Sequence, residues 1–130
     1  MGREFKHLVG AVETGVGAAS SSLAPLLPII RDASSLKDLQ PETLNVRLRE
    51  PYVLRPTFTI LGSEVGRDED YHFELCSIHD LQRLRAFLGL IMRTSTNYHG
   101  ESVLEVMAEV NLRERMGPSD GTSVDVSVFD

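Results

Sequence analysis

Hydrophobic and polar positions alternate most cleanly near the end of the chain, where Val124, Val126 and Val128 interleave with Ser123, Asp125 and Ser127. A period of two places one set on each face of an extended segment, so this stretch is expected to be a closing strand, entered through a turn at Asp120-Gly121. Residues 5–13, FKHLVGAVE, alternate more loosely and are expected to form the first strand. A second strand is expected at about 43–49, within PETLNVRL, where Leu44, Val46 and Leu48 share one face and Thr43, Asn45, Arg47 and Arg49 the other. Polar-out alternation is the ordinary pattern of a half-solvated antiparallel strand. Here, though, two neutral oxygen-bearing side chains stand two apart on the polar face.

Further strands are expected at 57–65, TFTILGSEV, and at 71–78, YHFELCSI, separated by the charged turn GRDED with Gly66 at its head. Two stretches fit more than one element. In HDLQRLRAFLGLIM, Leu81, Leu84 and Leu88 keep helical spacing, whereas residues 87–92 equally suit a buried strand. Val103, Leu104, Val106, Met107 and Val110 recur near the helical period, yet residues 103–107 are rich in strand formers. Pro25 and Pro28 interrupt the apolar run LAPLLPIIRDASSLKDL, so an irregular segment with a short helix or two is expected there. Many short strands, regular turn signals, and no repeat or long linker point to one domain, 1–130, built as a small mostly-β barrel.

Composition narrows the chemistry. The chain has 130 residues, is 42% hydrophobic and has no Trp, so Leu, Val and Ile must build the core. A net charge of -6 argues against nucleic-acid binding through phosphate neutralisation, and against a DNA-binding barrel. Arg83, Arg85 and Arg93 in one stretch and Arg113 and Arg115 in another read as solvated faces. Cys76 is the only cysteine, which excludes an intrachain disulfide and suits an inert strand position in a reducing cytoplasm. His7, His72, His79 and His99 never fall at metal-ligand spacing. Absence of a long apolar run or a leader-like start gives the expectation of a soluble, cytoplasmic protein with no membrane partner.

The loop TGVGAASSS follows the first strand. Its Gly15 and Gly17 permit close backbone approach, which serves either a flexible turn or an anion-binding nest of N–H groups. Together, ETGVG, PETLNVRL and NYHGESVLEVMAEVNLRERMGPSDGTSVDVSV resemble, in order and spacing, the archaeal CTP-dependent riboflavin kinases. The resemblance spans nearly the whole chain, with a poorly matched middle at about 50–85.

That resemblance implies a six-stranded cradle-loop (riboflavin-kinase-like) β-barrel with one or two short helices, in which residues 100–106 are a strand and only NLRERM is helical. It implies Mg²⁺-dependent transfer of the γ-phosphoryl of CTP, or another nucleoside triphosphate, to the 5′-hydroxyl of riboflavin, giving FMN. Thr43 and Asn45 match the residues that hold Mg²⁺, a hard ion that takes few protein oxygens and completes its shell with phosphate and water. Gly15, Val16, Gly17 and Ala18 match the loop over the phosphates, and Val110, Asn111, Leu112 and Arg113 a nucleotide-contacting segment. Asn97 and Glu105 match flavin contacts.

No general base is evident; Glu105 and His99 are the candidates, against the alternatives of a surface strand residue and a turn or core histidine. The chain departs from the family pattern at Ala18 and Ala19, which replace a glutamate and a glycine, and at Glu42, which replaces a glycine. Glu109 stands for a proline and Asn111 for a lysine. These departures leave open a catalytically inactive barrel that binds nucleotide, flavin or a protein partner.

Overall fold

The computed structural model describes residues 5–13, 23–81, 85–96, 100–116 and 121–129. Seven strands appear: β1 (Phe5–Glu13), β2 (Leu44–Leu48), β3 (Phe58–Ile60), β4 (Tyr71–Asp80), β5 (Arg85–Thr94), β6 (Val103–Ala108) and β7 (Ser123–Phe129). Three short helices accompany them: α1 (Leu27–Ser34), continuing a 3-10 turn at Ala24–Leu26, then α2 (Gly62–Val65) and α3 (Leu112–Met116).

Every pairing is antiparallel, in the order β3-β4-β5-β6-β2-β1-β7, and β4 also pairs with β7. That last ladder, from Cys76↔Val128 to Asp80↔Val124, closes a six-stranded barrel. β4 pairs with β5 along its whole length and divides its other edge, giving Tyr71–Phe73 to β3 and its second half to β7. β3 is therefore an extra strand outside the closed ring. The expected strand over 57–65 is corrected accordingly. Only Phe58–Ile60 is extended, and the chain then turns through α2, where the Gly62 N–H donates to Asp70 Oδ1 at 2.9 Å. Gly66, with φ of 70°, ends that turn.

The interior is filled by every second residue of the ring, including Val12, Val46, Ile78, Ile91, Leu104, Val106 and Val126. A second cluster lies on the outer face of β4, β5 and β6. There Leu23, Leu26, Leu27, Ile30, Leu36 and Leu39 cover Phe73, Leu90, Met92 and Met107. Two-sided burial explains both ambiguous stretches. In β5, Ile91 faces the interior while Leu90 and Met92 face α1; in β6, Leu104 and Val106 point in while Met107 points out. Strands covered on both faces carry runs of apolar residues rather than alternation, and such runs imitate helical spacing. The helical option for 103–110 is thus corrected to strand β6, with helix confined to α3.

Close strand crossing depends on two glycines. A Cβ on Gly89 would lie 2.2 Å from Met107 O, and one on Gly10 would lie 2.4 Å from Arg47 O. Both contacts are to backbone, which cannot rotate away.

One end of the barrel is plugged by the loop between β2 and β3. Tyr52 Oη donates to Glu74, with 2.7 and 2.9 Å to its two carboxylate oxygens, and the Arg55 N–H donates to Glu74 Oε1 at 3.0 Å. Arg93 is 7% exposed and donates to the carbonyls of Tyr52 and Glu101. The expectation that Arg93 belongs to a solvated face is therefore corrected. Position 93 faces inward at the rim, where loop carbonyls and the nearby Glu74 replace water around the guanidinium. Burial lowers the Arg93 pKa, opposed by Glu101, Tyr52 and Glu74.

Two predictions follow from this packing. Gly89→Ala forces the β5–β6 backbones apart and should cost about 1–3 kcal/mol in urea unfolding, whereas Leu88→Ala, at a position 51% exposed, should stay within about 0.5 kcal/mol of the parent. Equal midpoints for the two variants would contradict the crossing geometry. The second concerns alkaline pH. Burial first, then the charge of Glu74, raises the Cys76 thiol; burial first, then its bond to Glu74, raises the Tyr52 phenol. Above about pH 8.5 for Cys76, and about pH 10 for Tyr52, the unfolded chain loses protons that the folded chain keeps, so stability must fall as pH rises. Unfolding free energy measured from pH 7 to 10.5 should decline from about pH 8.5, and Cys76→Ala should delay the onset. A profile that stays level to pH 10.5 would refute the assignment.

Candidate active site

The end of the barrel opposite the Tyr52 plug gathers the end of β1, the start of β2, the end of β6 and α3. β2 places Leu44, Val46 and Leu48 in the interior as the alternation requires, which turns Asn45 and Arg47 to the outer face. Asn45 pairs with Glu13 of β1 on one side and with Glu105 of β6 on the other. Directly opposed residues of an antiparallel ladder share a face with Cβ atoms about 4.5–5.5 Å apart, so the amide stands in a row between two carboxylates.

The surface is not half-solvated here. Asn45 is 6% exposed, and among the described residues its side chain makes no hydrogen bond. What little exposure remains reaches its amide, because Arg93 Nε is the one fully buried side-chain N or O atom without a partner among the described residues; a mostly covered amide offering its oxygen is a donor available to a ligand. Thr43, half-buried, immediately precedes the strand, and Glu105 is half-buried.

Arg47 grips Glu13 with both branches of its guanidinium, Nε to Oε2 at 2.7 Å and Nη2 to Oε1 at 3.2 Å. The hydrogen bond and charge of Glu13 raise the Arg47 pKa. From α3, Arg113 Nη2 reaches the Glu13 carbonyl at 3.5 Å. β2 and α3 thus both reach Glu13, the last residue of β1.

The segment carrying the expected nucleotide contacts divides its work. Leu112 is buried in the barrel interior with Val110 packed against it, so Leu112 offers a ligand its backbone rather than its side chain. Asn111 Oδ1 accepts the Glu114 N–H at 3.2 Å and caps α3. Arg113 is exposed. Two departures from the family pattern gain a structural reason: Asn111 serves as that cap, and Glu109 Oε2 accepts the Asp38 N–H at 3.1 Å, helping to lay the approach to β2 beside the end of β6. Glu42 is exposed.

Gly15, Val16, Gly17, Ala18, Asn97 and His99 lie outside the described residues. The structure therefore brings together Asn45, Glu105 and Arg113, with Thr43 adjoining. It adds Glu13 and Arg47, which sequence reasoning did not single out as site residues. Their signal was faint but present: Arg47 shares the polar face of Asn45, and Glu13 is the last strand residue before the loop. Among the described residues no group of three or more His, Cys, Asp or Glu could hold a metal ion, and no helix is long and apolar enough to cross a membrane.

No family model matches the chain. Among curated proteins it is 26% identical, over an alignment of 133 positions, to a riboflavin kinase of Pyrococcus furiosus, covering 94% of this chain and 58% of that protein. It is 27% identical to a riboflavin kinase of Pyrococcus abyssi, over 93% of this chain and 58% of the relative. A riboflavin kinase of Methanocella arvoryzae is 29% identical over 91 positions, covering 70% of this chain and 42% of that protein. The chain spans 58% of the length of the two Pyrococcus relatives and 42% of the Methanocella one. The chain, a closed six-stranded barrel with one extra strand, is thus similar over most of its length to riboflavin kinases of archaea.

Proposed function

We propose that this chain transfers the γ-phosphoryl of CTP, or of another nucleoside triphosphate, to the 5′-hydroxyl of riboflavin, with Mg²⁺. The observation that carries this reading is Asn45, buried, without a side-chain hydrogen bond among the described residues, and in register between Glu13 and Glu105 where β1, β2, β6 and α3 meet. The donor set fits the ion: Thr43 and Asn45 offer neutral oxygens with carboxylates adjoining, and no thiolate or imidazole competes among them. Bound there, Mg²⁺ would neutralise charge on the phosphate oxygens.

The remaining work falls to the chain itself. Arg113 and Arg47 supply positive charge at the rim for phosphate oxygens, and the backbone of residues 110–113 borders the same place. Glu105, one strand from Asn45, is positioned to accept a hydrogen bond from the flavin and so to orient its hydroxyl. Phosphoryl transfer needs little covalent help from a protein, which accords with a site built for positioning and charge. A binding-only barrel is the second reading, favoured by Asn111, whose amide oxygen is committed to the α3 cap and brings no positive charge.

Incubation with riboflavin, MgCl₂ and CTP or ATP, followed by chromatography, should yield FMN. Absence of FMN with every triphosphate would end the catalytic reading. Thr43→Ala with Asn45→Ala should lower turnover by roughly 100-fold while leaving the fold intact by circular dichroism, because neither side chain makes a hydrogen bond among the described residues. Turnover unaffected by the double substitution would move the site elsewhere.

A further inference from the structure

Glu13 occupies a position that the kinase reading leaves without a role. Its carboxylate leads into the glycine loop, stands beside Asn45 in the β1–β2 ladder, and is held by Arg47 rather than by solvent. The ion pair is lopsided in burial: the Arg47 side chain is 59% exposed and that of Glu13 32%. An arginine so exposed gives up its partner at small cost, because water screens a surface ion pair. Asn45 supplies the independent sign of a ligand position, being more than nine-tenths buried, without a side-chain hydrogen bond among the described residues, and set in register between Glu13 and Glu105. An amide oxygen in register beside a carboxylate is a donor pair that suits a hard divalent cation.

We propose that Glu13 is a charged ligand of the divalent cation at Asn45, and that Arg47, which holds Glu13 while the site is free, exchanges that carboxylate for the phosphates of the arriving nucleotide. The exchange conserves charge pairing: the carboxylate passes from a guanidinium to a metal ion, and the guanidinium from a carboxylate to a phosphate, for which its planar fork is equally suited. Arg113, bonded to the Glu13 carbonyl, keeps the end of β1 in place while the side chains trade partners. Nucleotide and cation thereby favour one another's binding, each releasing the group that the other needs. The proposal rests on the kinase reading for the identity of the nucleotide, but its test does not depend on turnover.

The probe is Mn²⁺, followed by electron paramagnetic resonance in protein without nucleotide, alongside calorimetric titration of CTP in saturating MgCl₂. Glu13→Gln should weaken Mn²⁺ by roughly tenfold or more. Arg47→Gln should tighten Mn²⁺ several-fold, by freeing the carboxylate, while weakening CTP by roughly tenfold. Opposite signs for the two variants are the signature, because a merely structural ion pair would make them behave alike. Glu13→Asp, which keeps a carboxylate, should retain part of the Mn²⁺ affinity and provides a second route should Glu13→Gln not fold. Mn²⁺ binding absent from the parent, indifferent to Glu13→Gln, or changed in the same direction by both glutamine variants would overturn the proposal. Mn²⁺ binding lost with Glu13 in a protein that makes no FMN would uphold it while removing the kinase reading.

Discussion

Everything at the candidate site depends on which residues of β2 the barrel interior claims. Leu44, Val46 and Leu48 fill space that Val12, Leu104 and Val106 also border, and a one-residue slip would turn the whole set outward. That demand fixes Asn45 on the outer face, and the ladders to β1 and β6 then fix its neighbours as Glu13 and Glu105. The polar row is thus a by-product of core packing in position, though not in composition. Nothing in the packing of the described residues asks for an amide there, since its side chain makes no hydrogen bond among them.

The two ends of the barrel divide structural and chemical roles. At one, Tyr52, Glu74 and Arg93 form a network with loop carbonyls that seals the interior, with Arg93 Nε left without a partner among the described residues. At the other, Leu112 of α3 closes the core with an apolar side chain, which leaves the polar groups around it free to face outward. Arg93 and Arg113 show the contrast: the first binds backbone within the fold, the second reaches across the rim to the Glu13 carbonyl.

Strands with one covered face were legible in the sequence, and strands with two were not. β1 and β7 follow their alternation, and β2 lies within the stretch expected of it. β5 and β6 carry apolar residues on both faces because α1 and its flanking segments cover the outside, so periodicity alone left them between helix and strand. The resemblance to riboflavin kinases resolved β6, since it supplied what local pattern lacks. β3 was overextended because α2 contains strand-like residues, Val65 among them, and only the packing of Gly62 against the 67–70 backbone shows the turn. At the site, Asn45 and Glu105 could be named from motif order, whereas the grip of Arg47 on Glu13 is a diagonal contact between strands far apart in sequence. No linear pattern encodes such a contact.

A small barrel that holds oxygen donors and arginines around one rim offers the groups that the proposed phosphoryl transfer would use. The central claim is that the cation lies at Asn45. Crystals grown with CTP and Mn²⁺, and measured for anomalous scattering, test it most directly. The account predicts a manganese peak roughly 2.0–2.3 Å from Asn45 Oδ1, with phosphate oxygens completing its shell. A peak remote from β2, or an Asn45 side chain bonded to protein while the nucleotide is bound, would contradict it.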